Sequence, residues 1–309
     1  MKNQIIIREA ITEQDLAFFG EQMRVYHKRD IFSNLNDHDK EYFLDNARYQ
    51  ANPENTRIKN QGNCYCLLFY LDDQKMGFAL PVFYHQDYKR CFLMEFHVFP
   101  EFCENGMDSQ CARELIAWIN EKGTKYLEIN CDTTQQQRFW QNFGFILNGV
   151  DELGVPLMIL PPKEDIPIVI EILTDPENGQ FKKLENRFLR EIEEQPLTEE
   201  QQTQLAQAIW DDKITFFIAK CDHRMVGMCS VARCFSTFAC SDTGVFEDFY
   251  IEPAFRRKGI ARKLVQAAQD WCKENGIVSL TVCSAPCDEQ MYQNLGFTIS
   301  LGHTYAHLI

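Results

Sequence analysis

No apolar stretch of this chain approaches the ~18 residues that cross a bilayer, and its start, Met1-Lys2-Asn3-Gln4-Ile5, lacks the apolar core of a secretory signal. A soluble, cytoplasmic protein is the expectation. Cations are scarce: 31 Lys+Arg against 45 Asp+Glu leave a net charge of −14, which repels nucleic-acid backbones and anionic membranes. Neither partner is expected. The 13 cysteines are an odd number without a Cys-x-x-Cys pair, so no disulfide framework or zinc spacing is present. They read as reduced thiols. Cys64-x-Cys66 lies in the apolar run Cys64–Tyr70 and reads as buried strand packing; Cys283 and Cys287 read as small packing residues. The seven histidines offer no metal spacing on a helix, since His303-x-x-x-His307 falls in a strand-like tail where that spacing does not converge. No metal is expected. A hydrolase elbow of the Gly-x-Ser-x-Gly type is also missing.

What is present is an ordinary globular composition, 45% hydrophobic and 25% charged over 309 residues, enough for two domains. The chain also repeats itself. Trp140-Gln141-Asn142-Phe143-Gly144-Phe145 returns as Tyr292-Gln293-Asn294-Leu295-Gly296-Phe297, and Val98-Phe99-Pro100-Glu101-Phe102 with Gly106 returns as Ile251-Glu252-Pro253-Ala254-Phe255 with Gly259. Residues 1–160 carry 16 basic and 23 acidic side chains and residues 161–309 carry 15 and 22, so each half has a net charge of −7. The junction is the rigid, polar stretch 161–167, which holds three prolines. Hydrophobic periodicity predicts a mixed α/β sheet with helices on both faces, built twice. In the second half, strands are predicted at 168–173, 215–220, 225–233, 245–251 and 279–283, with helices at 180–194, 199–211, 260–275 and 288–295. The first half follows the same order: a strand at 5–8, helices at 12–28 and 37–46, strands at 65–71, 76–83 and 91–98, a helix at 109–122, a strand at 125–130 and a helix at 135–142.

The strongest local signal is Ile251-Glu252-Pro253-Ala254-Phe255-Arg256-Arg257-Lys258-Gly259-Ile260-Ala261, a strand end that passes through a glycine turn into a helix. Unpaired N–H groups and the helix dipole favour an anion there. Gly259 allows close backbone approach and Ala261 keeps it open. Arg256, Arg257, Lys258, Arg262 and Lys263 reverse the sign of an otherwise acidic chain, which suggests a phosphate ligand; a solvated basic helix start is the plainer alternative.

Arg256-x-x-Gly259-x-Ala261 after an extended segment, followed by Tyr292-x-x-x-Gly296-Phe297, resembles the GNAT superfamily of N-acetyltransferases, in a tandem two-domain form. Phe246-Glu247-Asp248-Phe249-Tyr250-Ile251 is similar to the preceding strand of the spermidine/spermine N-acetyltransferases. The resemblance implies two GNAT-like domains, each with a mixed, mostly antiparallel sheet. It further implies acetyl-CoA as acyl donor, its pyrophosphate on the N–H groups of Arg257 to Ala261, Ile260 included, and its pantetheine arm along a splayed strand edge at Phe249 and Ile251. Acetyl transfer needs a neutral amine and a proton for the leaving thiolate. Glu247 stands where the similar polyamine enzymes carry a proposed base, and Asp248 is its neighbour. Strand alternation lets only one of the two face a given cleft, and the sequence leaves that choice open. Tyr292 is the candidate proton donor. Two departures stand out: Arg257 replaces the family's usual glycine, and Ala285 stands where an asparagine is frequent.

In the first half, Cys103, Glu104, Asn105 and Asp108 replace Arg256, Arg257, Lys258 and Ala261, while Met94 and Trp140 replace Glu247 and Tyr292. Carboxylates there disfavour a pyrophosphate. The expectation is a catalytically silent domain at 1–160, a linker at 161–167 and an active domain at 168–309. The active domain would acetylate the primary amine of a small, cationic acceptor, in a monomer (pseudo-dimer) or homodimer. A tandem enzyme similar to mycothiol synthase is one alternative; a non-catalytic acyl-CoA sensor or interaction protein is another.

Overall fold

Strand alternation sorts the apolar side chains onto two faces of each sheet. The computed structural model describes residues 5–45, 63–85, 88–103, 106–151, 153–162 and 166–302. Glu104, Asn105, residues 163–165 of the expected linker, His303 and His307 lie outside the described residues. The first half runs β1 (Ile6–Glu9), α1 (Glu13–Tyr26), a π-helical turn (His27–Ile31), α2 (Asp37–Asp45), β2 (Leu67–Leu71), β3 (Gln74–Tyr84), β4 (Arg90–Val98), α3 (Met107–Glu121), β5 (Tyr126–Asn130), α4 (Thr134–Gln141), β6 (Ile146–Val150) and β7 (Pro156–Leu160). The second half runs β8 (Ile168–Ile172), α5 (Gly179–Glu191), α6 (Glu199–Trp210), β9 (Ile214–Cys221), β10 (Arg224–Ser236), β11 (Ser241–Ile251), α7 (Ile260–Glu274), β12 (Leu280–Val282) and α8 (Glu289–Asn294). Contacts divide the chain into two units, Met1–Ile146 with Val155–Pro162, and Leu147–Gly154 with Lys163–Ile309.

The first sheet has the order β1-β2-β3-β4-β5-β7-β6 and the second β12-β11-β10-β9-β8. The characterised pairs are antiparallel except β4 with β5 and β11 with β12, which are parallel. In β2, Leu67 and Phe69 join a core cluster with Cys111, Leu115 and Ile119 of α3, whereas Leu68 and Tyr70 join Phe19 and Met23 of α1. Successive side chains therefore meet helices on opposite faces, as expected. In the second unit, Phe216, Ile218 and Met228 pack with Phe181 and Leu184 of α5, while Phe217 on the other face meets Trp271 of α7. The buried residues of α7, Ile260, Leu264, Val265, Ala268 and Cys272, trace one helical stripe.

Both units interrupt the antiparallel ladder at the same place. The β3–β4 register shifts between Leu80 and Pro81, leaving Met94 as the extra residue; proline, which has no N–H to give a ladder, fits at such an irregularity. In β11, Tyr250 pairs with Met228 and Glu247 with Ser230, so Asp248 and Phe249 stand opposite Cys229 alone. Asp248 takes a left-handed φ of 50° in this bulge. Strands β6 and β7 were not expected. Cys283 and Cys287 are exposed rather than packed, because residues 283–290 bury no side chain.

Candidate active site

The parallel contact that joins β11 to β12 is short. Gly244–Phe246 pairs with Leu280–Val282, and beyond Phe246 the strand runs on through Glu247–Ile251 without pairing to β12. Among the described residues the two strands form a fork with β11's edge open on that side. Phe249 and Ile251, the expected pantetheine contacts, lie on this open stretch. The carbonyl of Ile251 accepts a hydrogen bond from Nε of Arg256 at 2.8 Å.

Past the fork, Pro253–Phe255 makes a 3-10 turn with Ala254 and Phe255 buried, and the chain turns into α7 through Arg257 at φ 62° and Gly259 at φ 78°. Left-handed residues at this spacing are the backbone geometry that can turn successive N–H groups to one side, and the helix dipole adds partial positive charge at the same place. No atom lies within 4 Å of where a Cβ would stand on Gly259, so the backbone is open to a ligand. Arg256, Arg257, Lys258 and Arg262 are exposed, Ala261 is half-buried, and Ile260 is buried. Ile260 therefore offers a backbone N–H while its side chain anchors the helix in the core. The guanidinium of Arg256 lies 2.6 Å from both oxygens of Glu191 at the end of α5. With its bond to Ile251, this pair braces the loop, while Arg257 and Lys258 stay exposed beside it.

Tyr292 sits in α8 against Phe246, Phe249 and Phe297, with ring centroids at 6.5, 6.1 and 5.9 Å. Gly296, at φ 106°, turns the chain back so that the Phe297 amide donates to the Tyr292 carbonyl. Gly144 and Phe145 repeat the device at Trp140, so most of the repeated hexapeptide is a helix stop. Burial, followed by the charge of Asp288, raises the Tyr292 pKa, and the phenol keeps its proton at neutral pH.

The two carboxylates differ in setting. Glu247 is exposed and Asp248 half-buried, with Asp248 accepting a 2.6 Å hydrogen bond from Ser230 Oγ. Because the bulge breaks the alternation, the premise that only one of them can face a cleft no longer holds here. Burial raises both pKa values; the charge of Asp248 adds to the rise at Glu247, and the Ser230 hydrogen bond opposes it at Asp248. A third carboxyl, Glu185 of α5, escaped the sequence reading. It is 7% exposed, and burial with the charge of Asp248 pushes it up to about 8. The signal was available: Phe181, Leu184, Glu185 and Phe188 share the i, i+3, i+4, i+7 stripe, so a carboxyl occupies a core-facing position.

The first unit keeps the frame with different chemistry. Gly106 retains a left-handed φ of 72° before α3, but Asp108 brings its own carboxylate to the helix start and accepts from the Ser109 amide at 2.6 Å. Trp140 is core, packed on Phe96, Phe139 and Phe145. Glu95, at the Asp248 position, pairs with buried His27 at 2.8 Å. Among the described residues no three metal-ligating side chains converge, and no helix is long and apolar enough to span a membrane.

The sequence profile of the acetyltransferase (GNAT) family matches residues 25–145 and 181–297. No curated protein matches. Similar solved structures include an acetyltransferase of Trypanosoma brucei, 18% identical over 46% of this chain and 100% of that one, with a TM-score of 0.40. Glucosamine-6-phosphate N-acetyltransferase from Arabidopsis thaliana is 16% identical over 46% of this chain and 99% of its own, TM-score 0.39. PaiA N-acetyltransferase from Thermoplasma acidophilum, in complex with coenzyme A, is 16% identical over 51% of this chain and 99% of its own, TM-score 0.41.

Proposed function

The chain belongs to the acetyltransferase (GNAT) family, and from that premise we propose that its second unit moves an acetyl group from acetyl-CoA to the primary amine of a small, cationic acceptor by direct attack. The observation that carries this reading is the open edge of β11 leading into the left-handed turn at Arg257–Gly259. Extended hydrogen-bonding chain and anion cradle follow one another there, in the order that a pantetheine arm and a pyrophosphate require. The backbone N–H groups of Arg257 to Ala261, with Arg257 and Lys258 beside them, would hold the pyrophosphate. Phe249 and Ile251 would line the arm.

Acetyl-CoA, when bound, supplies an activated acyl carbon and a thiolate leaving group. The protein's own residues manage two protons. An acceptor amine arrives mostly protonated, and Glu247 or Asp248 takes its proton directly or through water; their raised pKa values make them stronger bases than ordinary carboxylates. Tyr292 gives the leaving sulfur a proton from a phenol that its aromatic surroundings keep neutral. The net charge of −14 draws cations to the protein. The first unit is read as catalytically silent, since Asp108, Met94 and Trp140 stand where the cradle, base and acid would be.

Calorimetric titration of acetyl-CoA into the full-length protein tests this. One site per chain, weakened about tenfold or more in Arg257→Ala/Lys258→Ala, and turnover of an amine panel read by thiol release are the expected results. No binding would remove the proposal.

A further inference from the structure

The second unit contains one stretch that precedes the expected linker. Leu147–Gly154, most of β6 and the residues after it, belong with Lys163–Ile309, and they meet the chain just ahead of the phosphate loop. Asn148 is fully buried, and its Oδ1 accepts from the Ala254 amide at 3.1 Å. That amide needs an acceptor from elsewhere. It stands at the start of the 3-10 turn Pro253–Phe255, where N–H groups have no partner within a helix, and Glu252 supplies no side-chain cap. The amides on either side are already bonded, Glu252 to the Val226 carbonyl and Phe255 to the Glu252 carbonyl. Asn148 therefore caps the turn from 106 residues away in sequence. Its Nδ2 is buried without a hydrogen-bond partner, which is unfavourable; a polar side chain kept here in spite of that points to the oxygen as the part in use.

The same stretch is tied to α5. The Asp151 carbonyl accepts from Arg190, and α5 holds the turn at two further points, through Arg187 on Glu252 and Glu191 on Arg256. These contacts and the Asn148 cap close a ring of three segments: α5, residues 147–151 and residues 252–256. The ring ends where the left-handed Arg257 begins. We propose that Asn148 is a positioning residue for the acyl donor: by holding the Ala254 amide it keeps the turn, and with it the backbone from Arg257 to Ala261, in the conformation that receives the pyrophosphate. The assignment rests on the function proposed above and adds to it a residue from the half of the chain read as silent. A loop that visits its competent conformation only part of the time binds more weakly by that fraction. Loss of the cap is therefore read in donor affinity and not in the chemical step.

The experiment is calorimetric titration of coenzyme A into the full-length protein and its Asn148→Leu and Asn148→Asp variants, with KM for acetyl-CoA and kcat measured on each. Leucine keeps the approximate shape and removes the acceptor; aspartate keeps an oxygen for the amide. Asn148→Leu should bind coenzyme A about tenfold more weakly, the effect of one buried donor left unpaired. Its KM for acetyl-CoA should rise in step while kcat at saturating donor stays within about twofold. Asn148→Asp should remain within about threefold of the unaltered protein in both affinity and KM. Unchanged coenzyme A affinity in Asn148→Leu overturns the assignment even if its melting temperature falls, and so does an equal loss in the leucine and aspartate variants. Should Asn148→Leu fail to fold, hydrogen exchange in the unaltered protein decides: saturating coenzyme A should slow the amides of residues 147–151 together with those of 252–259, and slowing confined to 252–259 overturns the assignment. Failure of the unaltered protein to bind coenzyme A is a separate outcome, which removes the acetyl-transfer reading and this assignment with it.

Discussion

Tyr292 and Trp140 occupy equivalent ends of the same helix stop, and what distinguishes them chemically is a hydroxyl within an aromatic cluster beside the fork. Tyr292→Phe keeps the ring and removes the proton donor. Its kcat should fall by about 10²-fold or more while acetyl-CoA affinity, read by calorimetry, stays unchanged. The bases make a pH prediction. A base must be unprotonated to act, and burial raises both Glu247 and Asp248, so the acidic limb of kcat/KM should lie above the ordinary carboxylate range of ~4. Whichever of Glu247→Gln and Asp248→Asn removes the limb identifies the base; a limb intact in both would exclude the pair. Glu185 makes a stability prediction through the same physics. Between the ordinary glutamate value of 4.5 and the folded value of about 8, the folded chain holds a proton that the unfolded chain has lost, so stability falls as pH rises through that window. Thermal melts of Glu185→Gln should lack this component of the decline; an identical slope in both proteins would mean that Glu185 ionises normally.

At the scale of elements, the strand end before the phosphate loop is fixed by a buried ion cluster. Glu252, 2% exposed, accepts from Arg224 at 3.0 and 3.1 Å and from Arg187, and its amide donates to the Val226 carbonyl at 2.9 Å. Glu252→Ala leaves cations buried without their acid and should cost about 3–5 kcal/mol in chemical denaturation, whereas a surface-like loss under ~1 kcal/mol would mean that water reaches the cluster. Much of this architecture was legible beforehand. Met76–Phe83 and Arg224–Val231 are continuously buried runs whose apolar character marks central strands, and the stripe of α7 is unbroken. Strand β6 was not legible, because Asn-Gly is a turn signature, whereas Asn148 is fully buried in a strand. The bulge at Asp248 escaped as well: residue type carries little information about register when the shift is set by pairing with Met228 and Ser230. The motif Arg256 was read as a phosphate contact from its charge, while its pairing with Glu191, distant in sequence, emerges only from the fold.

For the molecule as a whole, two units of similar plan differ in what stands at the helix start and at the central bulge. The fork in the second sheet has a consequence for the protein's life span. A strand edge without a neighbour leaves main-chain amides to exchange with water and offers a template to foreign strands. A ligand lying along Glu247–Ile251 would act as a missing strand, so amide hydrogen exchange in that stretch should slow in proportion to acyl donor bound, and the chain's resistance to proteolysis should track donor supply.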